Sequence, residues 1–172
     1  FVIVAYKILP STLINIPKYG SINLHASLLP KYRGAAPIQW ALMNGDKKTG
    51  ISVFQITSRV DTGDIVAQKQ IKIFNNDNMQ TLGERLSKNG SDLIIKAMKK
   101  IEQGKKGIPQ NSNFATQAPK IEKKMTIIDW NWPAEKIHNW IRGLTPKPGM
   151  VTFLYDKRFR IYKTKILNHV ND

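Results

Sequence analysis

The sequence of 172 residues contains no cysteine and only three histidines. Without thiols it can form neither a disulfide bond nor a thiolate metal site, and three scattered histidines lack the spacing of a zinc site. It also has no apolar run close to the roughly 20 residues that a membrane-spanning helix needs, and no segment with the pattern of a signal peptide. These absences favour an intracellular protein without metal or membrane contact.

Acidic residues are scarce as well, because 27 Lys and Arg stand against 12 Asp and Glu, for a net charge of +15. The excess is denser towards the end: residues 1–104 hold 14 basic and 7 acidic residues, whereas residues 105–172 hold 13 and 5. Such an excess is typical of a protein that binds a polyanion and displaces its counterions. It is equally typical of a Lys-rich genome composition, so the charge alone does not decide between the two.

The length and the 41% hydrophobic content suffice for one domain, or for one domain and part of another. The chain opens on an apolar run, Phe1 to Tyr6, which has the pattern of a buried strand already under way and does not begin with Met. We therefore expect the sequence to be a fragment of a longer chain.

The most informative pattern begins after Gly20. Ile22 and Leu24 alternate with Asn23 and His25, which predicts a strand with an amide and an imidazole on one face. The alternation stops after His25, so both side chains lie at the carboxyl end of the strand, where ligands bind in open α/β sheets. Polar residues on one strand face are often merely solvated, so this pattern alone does not establish a reaction centre.

Three segments, taken together in order and spacing, resemble the signature of the folate-dependent formyltransferase family. They are Asn23-Leu-His25-Ala-Ser27-Leu28-Leu29-Pro30, then Arg33-Gly34-Ala-Ala-Pro37 with Trp40, and Asp61-Thr-Gly63-Asp64-Ile65. The resemblance implies an α/β fold: the later part of a Rossmann-like catalytic domain over residues 1–104, a linker over 105–126, and the start of a small OB-like β-barrel that binds tRNA over 127–172. It also implies that both ends of the chain are cut.

By this resemblance the catalytic residues are Asn23, His25 and Asp61. Formyl transfer from a folate nitrogen to an amine passes through a tetrahedral species whose oxygen becomes negative, and the N–H groups of Asn23 and His25 would donate to that oxygen. Asp61, expected beside His25, would relay the proton that the amine loses. Without the resemblance, Asp-Thr-Gly-Asp is ordinary turn composition.

The resemblance further implies that the loop after His25 forms the wall of a pocket for 10-formyltetrahydrofolate, the formyl donor. We expect this folate to contact Ser27, Leu28, Leu29, Pro30, Gly63 and Asp64. For tRNA we expect contacts from the basic residues Arg33, Lys157, Arg158, Arg160 and Lys163. For Arg33 a solvated surface role fits equally well.

The acceptor distinguishes members of the family. Ala118-Pro119-Lys120-Ile121-Glu122 and Ile128-Asp129-Trp130 resemble the linker of the branch that formylates aminoacyl-tRNA. We therefore predict formyl transfer to the amino group of methionyl initiator tRNA, for translation initiation, by a monomer without metal in the bacterial cytoplasm or an organelle. Two alternatives stay open: an acceptor that is a nucleotide-linked amino sugar, and a non-catalytic RNA-binding relative.

Periodicity predicts the remaining elements. In order, these are a helix over 10–16, a helix over 37–45, strands over 50–57 and 65–73, helices over 79–101 and 133–143, and a hairpin of strands over 151–155 and 159–166. The first strand, helix and strand together indicate a parallel sheet with a crossover connection.

Overall fold

The structure, a computed structural model, describes residues 2–3 and 9–167 of the chain. The elements in these residues are β1 (Val2–Ile3), α1 (Ser11–Ile14), β2 (Ser21–His25), α2 (Pro37–Met43), β3 (Lys48–Gln55), β4 (Ile65–Lys72), α3 (Met79–Glu102), α4 (Ala134–Leu144), β5 (Met150–Leu154) and β6 (Lys157–Ile161), with short 3-10 helices at Ser112–Phe114 and Lys123–Thr126. None of the helices in this part of the chain has the length and apolar content to cross a membrane.

The predicted elements are confirmed to within about two residues at most of their ends. The strand predicted over 1–6 is confirmed at Val2–Ile3, and its other residues lie outside the described part of the chain. The end of the hairpin differs, because the turn is formed by Tyr155 and Asp156, both with left-handed backbone (φ 45° and 61°). This two-residue turn matches the twist of the flanking strands, so β6 begins at Lys157 and ends at Ile161.

Four strands form one sheet in the order β1-β2-β3-β4. β1 and β2 are parallel, as the strand–helix–strand pattern predicted. β2 and β3 are antiparallel although α2 lies between them, with His25 opposite Ser52, and β3 and β4 are antiparallel too. The seven residues of α2 rise only about 10 Å, so this helix does not return the chain to the start of β2 as a crossover helix would.

Helix α3 covers one face of this sheet. It begins at a capping box in which the Asn78 side chain accepts a hydrogen bond from the Thr81 N–H and the Thr81 hydroxyl accepts one from the Asn78 N–H, both at 3.0 Å. Its buried side includes Leu82, which is fully buried, and Gly90, which the Leu24 side chain approaches so closely that a Cβ would lie 2.5 Å from it. Burial of each leucine of this kind stabilises the fold by about 1.5–3 kcal/mol.

A second core joins α2 to the C-terminal part of the chain. Its buried members are Met43, Ile128, Ile137, Ile141, Leu144 and Met150. Beside them the Trp40 ring of α2 meets the Trp140 ring of α4 edge-on at 6.3 Å, and Trp140 in turn lies 4.8 Å from Trp132. Helix α2 therefore packs both against the elements of the first core and against the C-terminal part of the chain.

The segment predicted as a linker, 105–126, lies along the first part of the chain. Ile108 and Ile65 exchange two backbone hydrogen bonds of 2.8 Å, and Arg33 pairs with the stretch around Gln117. Ala118 is fully buried, and its N–H donates to the Arg33 carbonyl at 2.7 Å. The backbone of this segment is therefore bonded to the start of β4 and to the loop after β2. The domain boundaries on either side of it stay a prediction.

Candidate active site

A cleft of about 640 Å³ opens at the carboxyl end of β2. All of the predicted catalytic residues line it, together with residues of α2 and of the turn between β3 and β4. The lining consists of Leu9, Asn23, Leu24, His25, Ala26, Gly34, Ala35, Pro37, Ile38, Gln39, Phe54, Ile56, Thr57, Ser58, Arg59, Val60, Asp61 and Met79. Its size and its mixture of apolar and polar side chains are typical of a site for a small molecule.

His25 is held by the protein at one ring nitrogen. The ring is 7% exposed, and Nε2 lies 2.8 Å from the Tyr32 carbonyl oxygen. Because a carbonyl only accepts hydrogen bonds, Nε2 carries a proton and donates it there. Nδ1 is 3.7 Å from Asp61 Oδ2 and is the ring atom left to bond a substrate. The Phe54 ring meets the imidazole edge-on, with centroids 6.3 Å apart, and fixes its plane.

Asn23 lines the same wall, two residues before His25 on the same face of β2. Its side-chain amide makes no hydrogen bond with any other residue in the described part of the chain, although it is only partly exposed. Such an amide offers two N–H donors and one acceptor to a ligand. Its orientation follows from strand alternation, since Ile22 and Leu24 turn towards the core and are packed there.

Asp61 reaches the site from the turn between β3 and β4. Its carboxylate Oδ2 accepts the Gly34 N–H at 2.8 Å, which ties this turn to the loop after β2. Its backbone is left-handed (φ 52°), a conformation that Asp tolerates better than most residues. Gly63, two residues on, packs against β3 so tightly that a Cβ there would lie 1.7 Å from the Gln55 carbonyl oxygen. The Asp-Thr-Gly motif therefore forms a turn whose third position has room only for glycine.

Tyr32 links the loop after β2 to residues that follow α2. Its hydroxyl donates to Asp46 Oδ2 at 2.8 Å and accepts from the Asn44 amide at 3.0 Å. Burial raises the pKa of Tyr32 to about 12, the Asn44 hydrogen bond opposes this, and Asp46 adds to it. Tyr32 thus contacts His25 through its carbonyl and Asp46 and Asn44 through its hydroxyl.

The residues predicted to contact folate lie elsewhere. Ser27, Leu28, Leu29, Pro30, Gly63 and Asp64 are all absent from the cleft lining. The Ser27 hydroxyl donates to the Lys31 carbonyl at 2.6 Å, and the Leu29 N–H donates to the Ser52 hydroxyl at 3.1 Å. The first bond lies within the loop and the second ties it to β3, so this part of the loop packs away from the cleft, whereas Ala26, Gly34 and Ala35 of the same loop line it. A folate contact by the predicted residues stays a prediction.

Arg33, predicted to contact tRNA, is 8% exposed. Its Nε and Nη2 both donate to Gln110 Oε1, at 3.1 and 2.8 Å. The guanidinium is therefore turned inward and engaged by the segment predicted as a linker, and its contact with tRNA stays a prediction. The other predicted tRNA residues are exposed: Lys157, Arg158 and Arg160 on β6, and Lys163 just after it. Their contact with tRNA stays a prediction.

Two side chains at the cleft were missed by sequence reasoning. Gln39 lies two residues after Pro37, within the segment that carries the family resemblance, and Arg59 lies two residues before Asp61. Position beside a motif was the available signal for both. No cluster of three side chains that could hold a metal ion occurs within residues 2–3 and 9–167.

The sequence matches two family descriptions along its length. Residues 1–98 match the formyl transferase model, and residues 120–172 match the formyl transferase C-terminal domain. This chain belongs to the formyl transferase family. The match confirms the family and the α/β fold class expected from the sequence, and the cleft with Asn23, His25 and Asp61 lies within the first matched region and the described residues.

Curated relatives include two bacterial proteins named methionyl-tRNA formyltransferase. The protein of Caldanaerobacter subterraneus subsp. tengcongensis is 47% identical over 98% of this chain and 55% of its own length. That of Thermodesulfovibrio yellowstonii is 49% identical over 96% of this chain and 54% of its own length. The chain spans about half the length of the curated relatives it matches.

A solved structure with a similar fold is HypX from Aquifex aeolicus in complex with tetrahydrofolic acid. It superposes with a TM-score of 0.77 at 19% identity, over 91% of this chain and 27% of that one. At this identity the similarity concerns the fold alone.

Proposed function

We propose that this chain is part of a methionyl-tRNA formyltransferase, which moves the formyl group of 10-formyltetrahydrofolate to the amino group of methionyl initiator tRNA. One observation carries the proposal: Asp61 Oδ2 lies 3.7 Å from His25 Nδ1 in the cleft that Asn23 also lines. The identity to curated tRNA formyltransferases supports the acceptor. Such an enzyme would act where translation begins, in the bacterial cytoplasm or an organelle.

Formyl transfer needs a formyl group held in a fixed position and hydrogen-bond donors that stabilise the negative charge on its oxygen. The amino nitrogen attacks the formyl carbon, the bond from that carbon to the folate nitrogen breaks, and the carbonyl oxygen is negative in between. The unpaired Asn23 amide would donate to this oxygen, and loss of one such donor costs about 3 kcal/mol of transition-state stabilisation. The apolar side chains of Phe54 and Met79 would exclude water from the same volume.

Proton transfer falls to the other two residues. The amine must lose one proton and the folate nitrogen must gain one, so a carboxylate beside an imidazole suits both steps. Because His25 Nε2 is engaged by the Tyr32 carbonyl, Nδ1 is the atom through which His25 would act, either on the formyl oxygen or in passing a proton to or from Asp61.

The tRNA side of the proposal concerns the hairpin. Arg158 and Arg160 alternate with Phe159 along β6, so two guanidinium groups lie on one face and an exposed aromatic ring on the other. Arginine contacts to phosphate would position the acceptor arm without reading its bases. A nucleotide-linked amino sugar has far fewer phosphates, so it needs no such surface.

The test uses the complete polypeptide that contains this sequence, with 10-formyltetrahydrofolate and methionyl initiator tRNA. We expect formyl-methionyl-tRNA to accumulate, and His25→Ala to abolish it while the melting temperature stays within a few degrees. Absence of formyl-methionine above background would refute the assignment. Formylation of a nucleotide-linked amino sugar instead would establish the rival acceptor, and salt-sensitive tRNA binding without folate binding would indicate a non-catalytic relative.

A further inference from the structure

Gln110 connects the two loops that build the cleft, although it belongs to the segment 105–126 and does not line the cleft itself. Its side-chain oxygen accepts two hydrogen bonds from Arg33. Its side-chain nitrogen donates to the carbonyl oxygens of Asp61 and Gly63, at 2.9 and 2.8 Å. One amide group thus uses both of its N–H bonds and its oxygen between the loop after β2 and the turn that carries Asp61.

The turn needs such support, because Asp61 has left-handed backbone. A residue in a sparsely populated conformation of this kind persists only where its surroundings hold it. The carboxylate is held by the Gly34 N–H, and the carbonyl of the same residue is held by Gln110. If the second bond is lost, the turn is free to relax towards commoner angles and to carry the carboxylate away from His25.

Gln110 is itself fixed from both sides. Before it, Ile108 exchanges two backbone hydrogen bonds with Ile65. After it, the Thr116 carbonyl accepts from the Arg33 N–H at 2.8 Å, and the Thr116 hydroxyl accepts from the Tyr32 N–H at 2.8 Å. These hydrogen bonds fix the position of the segment, and with it the position of the Gln110 side chain.

We propose that Gln110 is a positioning residue that sets the distance between Asp61 and His25, with Arg33 as the buried anchor that orients its amide. This inference rests on the proposed function for its kinetic consequence. Its structural content does not, since the bonds and the left-handed turn are independent of the acceptor. The segment between the two matched regions is then a working part of the active site.

The first measurement compares Gln110→Ala with Gln117→Ala in the complete polypeptide. Gln117 is the matched control, because it lies in the same segment and its exposed side chain makes no hydrogen bond within the described residues. A shift of about 1 Å in a catalytic group can cost about 100-fold in rate, so we expect kcat to fall about 10- to 100-fold in Gln110→Ala with both KM values within about twofold. Gln117→Ala should match the unchanged enzyme; equal kcat in both variants would overturn the proposal.

The second measurement separates anchoring from positioning. Gln110→Glu keeps an acceptor for Arg33 but turns a carboxylate oxygen towards the carbonyls of Asp61 and Gly63, where a donor is required. We expect kcat to fall at least as far as in Gln110→Ala. Retention of the original kcat would mean that only the contact with Arg33 matters, and the proposal would fail.

A double-mutant cycle tests whether Gln110 acts through Asp61. If it does, Asp61→Asn combined with Gln110→Ala is no slower in single turnover than Asp61→Asn alone, because the group being positioned is already gone. Multiplying rate losses would contradict this and assign Gln110 a separate, structural effect.

The last measurement needs no enzyme activity. In amide hydrogen exchange followed by NMR, the Gly34 N–H reports its bond to the Asp61 carboxylate, and the Val53 N–H in β3 reports the core. We expect faster exchange at Gly34 alone in Gln110→Ala, and no change in Gln117→Ala. Unchanged exchange at Gly34 would overturn the positioning, whereas an inactive wild-type protein with the expected exchange would refute only the proposed reaction.

Discussion

Gly63→Ala tests the claim that the shape of the Asp-Thr-Gly turn places the catalytic carboxylate. A Cβ at this position would lie 1.7 Å from the Gln55 carbonyl oxygen and 2.8 Å from its carbon. These are backbone atoms of a central strand, so no side chain can rotate away. To restore a normal carbon–oxygen contact the turn must move off β3 by more than about 1 Å, at a cost of about 1–3 kcal/mol typical of overpacking.

That displacement is carried by the turn two residues away, at Asp61. Since a misplacement of about 1 Å is worth about 100-fold in rate, we expect kcat to fall by that order in steady-state formylation assays of the complete polypeptide. Thermal unfolding should show a lower melting temperature as well.

The control is Gly83→Ala, the same substitution at a half-buried position in the second turn of α3, where the nearest atom to a Cβ is Ile38 Cδ1 at an ordinary 3.7 Å. Alanine favours a helix over glycine by about 1 kcal/mol, so this variant should be more stable and equally active. A folded Gly63→Ala enzyme with the kcat of Gly83→Ala would show that the turn does not set the position of the carboxylate.

Three further outcomes follow from single residues. Asn23→Ala should lower kcat by about 100- to 1000-fold in single-turnover assays without lowering the melting temperature, because its amide supports no other described residue; a loss of stability equal to the loss of rate would contradict a role in catalysis. Burial, and then the charge of Arg142, lower the pKa of His138 from 6.5, against the charge of Glu135 and a hydrogen bond to the Thr164 backbone. The folded state therefore binds fewer protons at His138 than the unfolded chain does. The contribution of His138 to the free energy of unfolding is complete above pH 6.5 and is lost as the pH falls below it. Between pH 7 and pH 5 the melting temperature should fall less steeply in His138→Gln than in the unchanged protein. Parallel curves for the two proteins would show that His138 does not cause the loss of stability at low pH. Arg158→Ala should reduce the slope of log affinity for tRNA against log salt by about 1, as measured by filter binding at several salt concentrations, and an unchanged slope would remove Arg158 from the phosphate contacts.

Local pattern was sufficient for much of the fold. The alternation around Asn23 and His25 identified the strand and the face on which both side chains lie. The apolar spacing between Met79 and Ile101 identified α3. Periodicity succeeds here because each residue's direction from the backbone depends only on the local conformation. It was less useful at the hairpin, where two left-handed residues moved the turn and changed which basic residues belong to β6.

Leu29 and Arg33 show what a motif leaves open. They belong to the same motif as Asn23 and His25. Both are nevertheless buried, and neither lines the cleft. A motif records that residues occur together, and it does not distinguish those that face a ligand from those that hold the loop in shape. Gln110 had no motif at all, because its partners come from two loops far away in the sequence.

The sequence by itself determined which elements form and which side chains share a face of β2, since both depend on neighbours along the chain. The tertiary structure alone decided that Asp61 lies against His25, that Arg33 points inward, and that the segment 105–126 binds the loops of the cleft. Those relations arise between segments brought together by packing, and no local preference encodes the distance between them.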